Sequence, residues 1–282
     1  MTHHEPIMQA PYGGLPREQR VTVRDLQAMT DRGEKWAMLT SYDAMTAGIF
    51  EHAGVPCLLV GDSAAMTVFG HGSTLPMTVD LAVALTQAVV RGTHRALIVA
   101  DMPFGSYQGS PQQALDAAVR LMAEGGAHAV KLEGGRRVLP QVELLVASGI
   151  PVMGHVGLTP QSVNAFGGPR VQGRGDAGDA LLDDALALEA AGAFSVVLEA
   201  VPAELGSRIS EHLHVPTIGI GAGAGTDAQV LVWQDMAGLT VGHLPKFVKR
   251  YANIAEILEE AARTYVKEVS AGIFPDEEHA YR

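Results

Sequence analysis

Val55-Pro56-Cys57-Leu58-Leu59-Val60-Gly61-Asp62-Ser63 is the stretch that decides the fold of this 282-residue chain. Its centre, Cys57 to Val60, is a short unbroken apolar run, which is typical of a parallel strand covered on both faces. The run ends at Gly61, and a carboxylate and a hydroxyl follow at once. Parallel α/β folds bind ligands just past the C-terminal ends of their strands, so the stretch predicts a site at Asp62 and Ser63. The alternative, for one such stretch alone, is that Asp62 only caps the next element.

The same arrangement recurs along the chain. A helical segment, a glycine with a small or apolar neighbour, a strand and then a polar residue follow one another at 53–62, 125–133, 148–155 and 191–199. Candidate strands begin near Trp36, Pro56, Ala96, His128, Pro151, Ser195, Thr217 and Leu239. Repeated strand–helix units with polar residues at one strand end predict a (β/α)8 barrel of the TIM type. A doubly wound open sheet is the alternative, because one short strand in eight is easily misidentified.

Length and composition favour one catalytic domain. With 47% hydrophobic and 18% charged residues the chain can bury a large core, and a single domain of this length is typical of an α/β barrel. Residues 1–20 are rich in Pro, Gly and polar residues without periodicity, which predicts a mobile leader. The barrel is predicted over residues 21–282, with a short helix at about Val23–Asp31 and a last helix at about 253–271.

Charge and cysteine content exclude several classes of function. A net charge of −11 without a local Lys/Arg cluster argues against partners such as nucleic acid or acidic membranes. Cys57 is the only cysteine and lies in a predicted strand, so we expect neither disulfides nor a thiolate metal site. The first residues lack the basic and apolar regions of a signal peptide, and no apolar run is long enough to span a bilayer. We therefore expect a cytoplasmic protein.

Polar residues gather at the ends of the predicted strands. They are Asp62 and Ser63, Asp101, Lys131 and Glu133, His155, and Glu199. Carboxylates that converge with no thiolate nearby repel one another unless a cation neutralises them, and hard oxygen ligands suit Mg²⁺. The pattern therefore predicts a magnesium site. The alternatives are that Asp101 only caps a turn and that Lys131 and Glu133 form a surface ion pair.

Glu199 differs from the other carboxylates in its surroundings. It follows a strongly apolar strand at 195–198, and such neighbours raise the pKa of a carboxyl group. A raised pKa suits a general base near neutral pH. Lys131 brings a positive charge for an anionic substrate, whereas His155 fits an orienting role as well as a catalytic one.

Two glycine-rich stretches stand apart from the repeats. Residues 219–225 fit a dinucleotide fingerprint only loosely and lie far from the first βα turn, where that fingerprint belongs. We interpret them as a loop that lets a ligand approach the backbone. Residues 157–176 contain five glycines and two arginines and show no helical or strand period, which predicts a long loop that acts as a lid.

These residues lie in longer motifs that resemble the ketopantoate hydroxymethyltransferase (3-methyl-2-oxobutanoate hydroxymethyltransferase) family. The matching stretches are residues 39–43, 59–63, 73–76, 100–104, 130–135, 154–162, 171–175, 198–199, 219–223 and 274–279. They follow in order over nearly everything from about residue 23 onward, so the resemblance is highly specific. Pro169 departs from the family pattern, which usually has an aromatic residue at that point.

The resemblance implies a fold, a site and a reaction. The implied fold is a (β/α)8 barrel, and the implied Mg²⁺ ligands are Asp62, Asp101 and Glu133. The implied contacts to a 2-oxo acid are Asp62, Ser63, Asp101 and Lys131, and the implied proton acceptor is Glu199. The implied reaction transfers a hydroxymethyl group from 5,10-methylenetetrahydrofolate to 3-methyl-2-oxobutanoate and forms 2-dehydropantoate, in pantothenate and coenzyme A biosynthesis. The resemblance also implies a large homo-oligomer, a decamer.

Two other functions compete with this interpretation. A Mg²⁺-dependent carbon–carbon lyase of the isocitrate lyase and phosphoenolpyruvate mutase group would share the barrel and the metal. Such enzymes typically carry a second acid two residues after the third-strand Asp, whereas Asp101 is followed by Met102-Pro103, and they use a loop cysteine, whereas Cys57 lies in a strand. A non-catalytic ligand-binding barrel would lack a metal ligand or the base, and none of these residues is missing here.

Overall fold

Eight parallel strands pair in the order of the sequence and close into a barrel in the computed structural model, which describes residues 19–242 and 244–281. The strands are β1 (Trp36–Thr40), β2 (Cys57–Val60), β3 (Leu97–Asp101), β4 (Ala129–Glu133), β5 (Val152–Gly157), β6 (Ser195–Glu199), β7 (Thr217–Ile220) and β8 (Ala228–Leu231). Pairing of β8 with β1, in the register Trp36 with Ala228, closes the ring. The prediction of a (β/α)8 barrel is confirmed, and the open-sheet alternative is wrong.

Helices separate most of the strands. Among the described residues they are α1 (Val23–Asp31), α2 (Ala44–His52), α3 (Ala64–Thr67), α4 (Val79–Arg91), α5 (Pro111–Val119), α6 (Leu139–Ala147), α7 (Val163–Phe166), α8 (Ala177–Ala190), α9 (Ala203–His212), α10 (Trp233–Met236) and α11 (Ile254–Ser270). The repeated glycines follow helix ends with left-handed backbones, as at Gly54 and Gly192, both with φ of 94°. A left-handed residue ends a helix and turns the chain toward the next strand, which explains the repeat. No described helix is long and apolar enough to cross a membrane.

The eighth strand begins at Ala228 and not near Leu239, so that prediction is wrong. No helix lies between β7 and β8, and the side chain of Asp227 joins the two strands. Its Oδ2 accepts hydrogen bonds from N and Oγ1 of Thr217, each at 2.8 Å. The pattern missed β8 because the strand is short, contains the exposed Gln229 and lacks the preceding helix that marks the other strands.

Alternate residues of the strands fill the interior of the barrel. Val99, Ala129, Met153 and Val197 are all buried in one apolar cluster. Two residues further along the same strands come Asp101, Lys131, His155 and Glu199. Side chains two residues apart in a strand share a face, so the strands that build the core also direct these polar groups toward the axis of the barrel.

Cys57 belongs to the same interior cluster. It is fully buried, its Sγ lies 3.5 Å from Sδ of Met38, and burial raises the pKa of its thiol. A second cluster, which includes Leu132, Leu145 and Leu188, packs the outer faces of strands against helices. The barrel is thus covered on both faces, as the apolar runs of its strands predicted.

The chain forms two compact units, Met1–Val232 and Trp233–Arg282. All eight strands lie in the first unit, and α10 and α11 lie in the second. The single domain over residues 21–282 therefore remains a prediction. The predicted leader, residues 1–20, lies outside the described residues except for its last two positions.

Candidate active site

Lys131 lies at the centre of a buried polar cluster on β3, β4 and β5. Its Nζ is 2.5 Å from Oδ1 of Asp101 and 3.3 Å from Nδ1 of His155. Burial alone lowers the pKa of Lys131, but the charges of Asp101, Glu133 and Asp62 raise it above its ordinary value. Lys131 therefore stays protonated, and the alternative of a surface ion pair with Glu133 is wrong because both side chains are buried.

Asp62 and Asp101 are joined across the ends of β2 and β3. Oδ2 of Asp101 accepts a hydrogen bond of 3.1 Å from the backbone N–H of Asp62. Burial and the nearby charge of Asp101 raise the pKa of Asp62 to about 7. Asp101 is therefore part of the buried cluster, and the alternative that it only caps a turn is wrong.

Glu133 adds a third carboxylate to this cluster. Its side chain is only 2% exposed, and burial followed by the charges of Asp62 and Asp101 raises its pKa, although Lys131 opposes the shift. One ammonium group thus faces three carboxylates. The site carries an excess of negative charge that a bound cation would relieve.

The three carboxylates have the chemistry of a divalent-cation site but are not arranged as one. Among the described residues no group of three His, Cys, Asp or Glu side chains could hold a metal ion in its present conformation. In this conformation Asp101 is paired with Lys131, while Asp62 and Glu133 each bond to Gln161 through one oxygen. Buried hard oxygen donors with surplus charge fit Mg²⁺.

Ser63 follows Asp62 at the start of α3 and is held by Tyr42. The two hydroxyl groups are 2.7 Å apart. Burial raises the pKa of Tyr42 to about 12, so the phenol keeps its proton over the physiological range. Tyr42 thus fixes the Ser63 hydroxyl beside the carboxylate cluster, a contact that the sequence pattern did not reveal.

Glu199 ends β6, and its side chain is 16% exposed. Burial raises the pKa of Glu199 to about 8, which Lys131 opposes. This confirms the expected raised pKa. Ala200, the next residue, has a φ of 49° and is the one non-glycine with a left-handed backbone among the described residues. Strained backbone of this kind is often found at functional sites.

His155 lies between Lys131 and Glu199. Its Nε2 is 3.2 Å from Oε2 of Glu199, but the N–H is not aimed at the oxygen and no hydrogen bond is formed. Burial and the charge of Lys131 lower the pKa of His155 well below its ordinary value, so the ring is neutral. Of the strand-end residues predicted from the sequence, all seven lie at the same end of the barrel.

Gln161 and Tyr107 belong to this site and were missed by the strand-end pattern. Gln161 donates hydrogen bonds to Asp62 from its side chain and to Glu133 from its backbone, and Tyr107 donates to Oε1 of Gln161. Tyr107 lies in the loop after β3 and Gln161 in a 3-10 turn after β5, so neither is at a strand end. The available signal was a glutamine inside a long family motif, which does not by itself indicate burial.

The two glycine-rich stretches differ from their predictions. Residues 157–176 are not structureless throughout, because a 3-10 turn at Pro160–Ser162 and helix α7 lie within them. In residues 219–225 two of the glycines, Gly223 and Gly225, allow close packing against α9. A Cβ at Gly223 would lie 2.5 Å from Cβ of Ala203, and one at Gly225 would collide with Ser207. These contacts account for Gly223 and Gly225, and the approach of a ligand to this loop stays a prediction.

Comparison with known proteins yields one family. The family model described as ketopantoate hydroxymethyltransferase matches residues 20–277. A protein of Thermobifida fusca named 3-methyl-2-oxobutanoate hydroxymethyltransferase is 64% identical over 282 residues, covering 100% of both chains. A protein of the same name from Frankia alni is 61% identical over 266 residues, covering 94% of this chain and 88% of the relative.

Solved structures of other enzymes share the fold. Phosphonopyruvate hydrolase, solved as a complex with oxalate and Mg²⁺, superposes with a TM-score of 0.60 at 12% identity, covering 92% of this chain and 91% of that one. Phosphoenolpyruvate phosphomutase from Streptomyces platensis gives a TM-score of 0.59 at 16% identity, covering 92% of each chain. At these identities the likeness shows a common barrel and nothing about the reaction.

Proposed function

The chain belongs to the ketopantoate hydroxymethyltransferase family, and we propose that it transfers a hydroxymethyl group from 5,10-methylenetetrahydrofolate to 3-methyl-2-oxobutanoate. The products are 2-dehydropantoate and tetrahydrofolate, with water supplying the hydroxyl oxygen. The observation that carries the proposal is the placement of Glu199, a carboxyl group of raised pKa, beside the buried Lys131 cluster. A chain with the family sequence thus has a strong base next to a site for an anionic, oxygen-rich ligand.

Recognition of the 2-oxo acid falls to the groups around Lys131. The substrate has a carboxylate and a keto oxygen on adjacent carbons, and we assign its contacts to Asp62, Ser63, Asp101 and Lys131. The Ser63 hydroxyl is oriented by Tyr42 and can hydrogen-bond to an oxygen of the substrate. Lys131 supplies the positive charge that a substrate anion requires.

A divalent cation, for which we propose Mg²⁺, completes the site. Asp62, Asp101 and Glu133 would hold it. When bound, it supplies a Lewis acid that polarises the keto oxygen and makes the neighbouring C–H bond more acidic. It would also neutralise the carboxylates that would otherwise repel the substrate.

Glu199 is the residue that takes the proton from C3 of the substrate. Its raised pKa means that its carboxylate binds a proton readily near neutral pH, as a general base must. As the C–H bond breaks, its electron pair delocalises onto the keto oxygen, and the charge of Lys131 stabilises that oxygen. The nucleophilic carbon then forms a bond to the one-carbon unit of the folate, in which one of the two C–N bonds has opened to give an iminium ion. Water then replaces the remaining folate nitrogen on that carbon, which gives the hydroxymethyl group and releases tetrahydrofolate.

The direct test is formation of 2-dehydropantoate from 3-methyl-2-oxobutanoate and 5,10-methylenetetrahydrofolate, followed by mass spectrometry. We expect product only when both substrates are present. A carbon–carbon lyase would cleave a substrate without folate, and a non-catalytic barrel would bind the 2-oxo acid without turnover. The lyase alternative is supported by the shared fold alone.

We also propose that the protein assembles into a homo-oligomer, the decamer that the family resemblance implies. The support lies in α11, whose apolar side chains Ile257, Leu258, Tyr265 and Val266 are each more than half exposed. Apolar surface of this extent on one helix favours association between copies. Light scattering at micromolar protein concentration measures the assembly, and a monomeric mass would contradict the proposal.

A further inference from the structure

Gln161 makes an unusually complete set of hydrogen bonds at the carboxylate cluster. Its side chain is buried, and its Nε2 donates to Oδ2 of Asp62 at 2.8 Å and to the carbonyl of Met102 at 3.0 Å. Its Oε1 accepts from the hydroxyl of Tyr107 at 2.7 Å and from Nε2 of Gln108 at 3.2 Å. Its backbone N–H donates to Oε2 of Glu133 at 3.0 Å. One residue thus contacts two of the three carboxylates proposed to hold the cation.

The orientation of the Gln161 amide is determined by its neighbours. Reversing the amide would place its oxygen against the Asp62 carboxylate and the Met102 carbonyl, where no hydrogen is available to donate. It would also place its NH₂ group against the NH₂ group of Gln108. The amide therefore has one orientation, in which both hydrogens and both acceptor sites are used.

The hydroxyl group of Tyr107 supports this orientation of the Gln161 amide. The hydroxyl oxygen of Tyr107 accepts the backbone N–H of Glu133 at 3.1 Å, and Oε1 of Gln161 at 2.7 Å is a closer acceptor for its single hydrogen than the carbonyl of Glu133 at 3.3 Å. Burial, followed by the charge of Glu133, raises the pKa of Tyr107, which keeps that hydrogen in place. Tyr107 thus connects the backbone of Glu133 to the side-chain amide of Gln161, which in turn bonds to Asp62.

We infer that Gln161, oriented by Tyr107, is a positioning residue that sets the divalent-cation affinity of the site. It bonds Oδ2 of Asp62 and Oε2 of Glu133 and thereby keeps both carboxylates close to the site. Gln161 leaves the second oxygen of each carboxylate to the cation. The inference rests on the proposed metal site.

A neutral donor is what this position requires. A lysine or arginine would neutralise the carboxylates and compete with the cation for their oxygens. A glutamate would replace the donor to Asp62 by a fourth negative charge. An aliphatic side chain would leave both Asp62 and the Tyr107 hydroxyl without their partner, which is costly inside a protein.

The test is titration of the purified protein with Mg²⁺ by isothermal titration calorimetry, without substrates. We expect Q161L to weaken Mg²⁺ binding by about 10- to 100-fold, the usual effect of removing a residue that orients a metal ligand. Q234L is the matched control, because Gln234 is also a buried glutamine but takes no part in the hydrogen bonds of the carboxylate cluster. Its Mg²⁺ affinity should stay at the wild-type value.

Y107F tests the same series of hydrogen bonds with almost no change in side-chain volume. It removes the hydroxyl that orients Gln161, and we expect about a tenfold loss of affinity, at the lower end of that range. If Q161L fails to fold, as its thermal unfolding would show, Y107F decides the question. Wild-type Mg²⁺ affinity in a folded Q161L, or in Y107F if Q161L does not fold, would overturn the inference. A wild-type protein that binds no Mg²⁺ would instead overturn the metal site on which the inference rests.

Discussion

Nε2 of His155 lies 3.2 Å from Oε2 of Glu199. The other ring nitrogen, Nδ1, lies 3.3 Å from the ammonium group of Lys131. An ammonium group can only donate, so Nδ1 acts as the acceptor and the proton of the neutral ring is on Nε2. His155 therefore carries its hydrogen-bond donor on the nitrogen nearest to Glu199. This arrangement supports the proposal that Glu199 is the base and that His155 orients it.

Replacing Glu199 by glutamine should abolish proton removal while preserving the site. E199Q keeps the shape of the side chain but not its basicity, so we expect turnover to fall by roughly 10²–10⁴-fold. Mg²⁺ affinity should change little, because Glu199 is not a proposed ligand. The measurement is deuterium incorporation at C3 of 3-methyl-2-oxobutanoate, incubated with enzyme and Mg²⁺ in D₂O without folate. Exchange by E199Q at the wild-type rate would make His155 the candidate base.

Removing divalent cations should stop the reaction. The expectation follows from the surplus of negative charge that Asp62, Asp101 and Glu133 place around Lys131. Treatment with EDTA followed by gel filtration should eliminate product formation, and added Mg²⁺ should restore it. Calorimetric titration of the same sample shows whether the cation binds without substrates. Full turnover in a thoroughly chelated sample would exclude the metal assignment.

The metal-free protein should lose stability as the pH rises. The folded-state pKa values of Asp62, about 7, and Glu199, about 8, lie above the values of roughly 4 expected in the unfolded chain. The folded protein therefore binds more protons than the unfolded chain between these pKa values. The stability that these two groups contribute is greatest below about pH 4, and it is lost as the pH rises through 7 and 8.

E199Q isolates the contribution of one of these carboxyl groups. Glutamine cannot ionise, so the thermal midpoint of metal-free E199Q should exceed that of the wild type by at least about 2 °C at pH 8 and match it at about pH 4. Differential scanning calorimetry in the presence of EDTA measures both midpoints. A difference that does not depend on pH would show that ionisation of Glu199 does not strain the fold.

Residues 157–176 remain the predicted lid. Contacts of Gln161 limit the expected movement to the second half of this stretch. Gln161 is fixed to the carboxylates, whereas Val171 is 44% exposed. Hydrogen exchange should therefore show the backbone amides of Gln161 and Ser162 protected in all states. Residues 167–176 should gain protection when both substrates bind. Equal protection of residues 167–176 with and without substrates would identify a fixed connection.

The strand-end residues could be predicted from the sequence because their signal is local. An apolar run followed by an acid at Asp62, Asp101 or Glu199 needs only a few neighbouring residues to be recognised. The partnership of Gln161 with Tyr107 spans 54 residues and depends on how two loops pack, which no periodicity records. The error in predicting the start of the eighth strand has a related cause. The helix expected between β7 and β8 is absent, and contacts of Asp227 with Thr217 join the two strands instead.

Cys57 gives the protein a practical property. The single thiol of the chain is buried inside the barrel beside Met38, and it resists ionisation, so maleimides and other thiol reagents have no natural target in the folded protein. A cysteine introduced at Val171 would be the one reactive position, without prior removal of a native residue. A fluorophore or spin label placed there would follow the loop in real time during turnover.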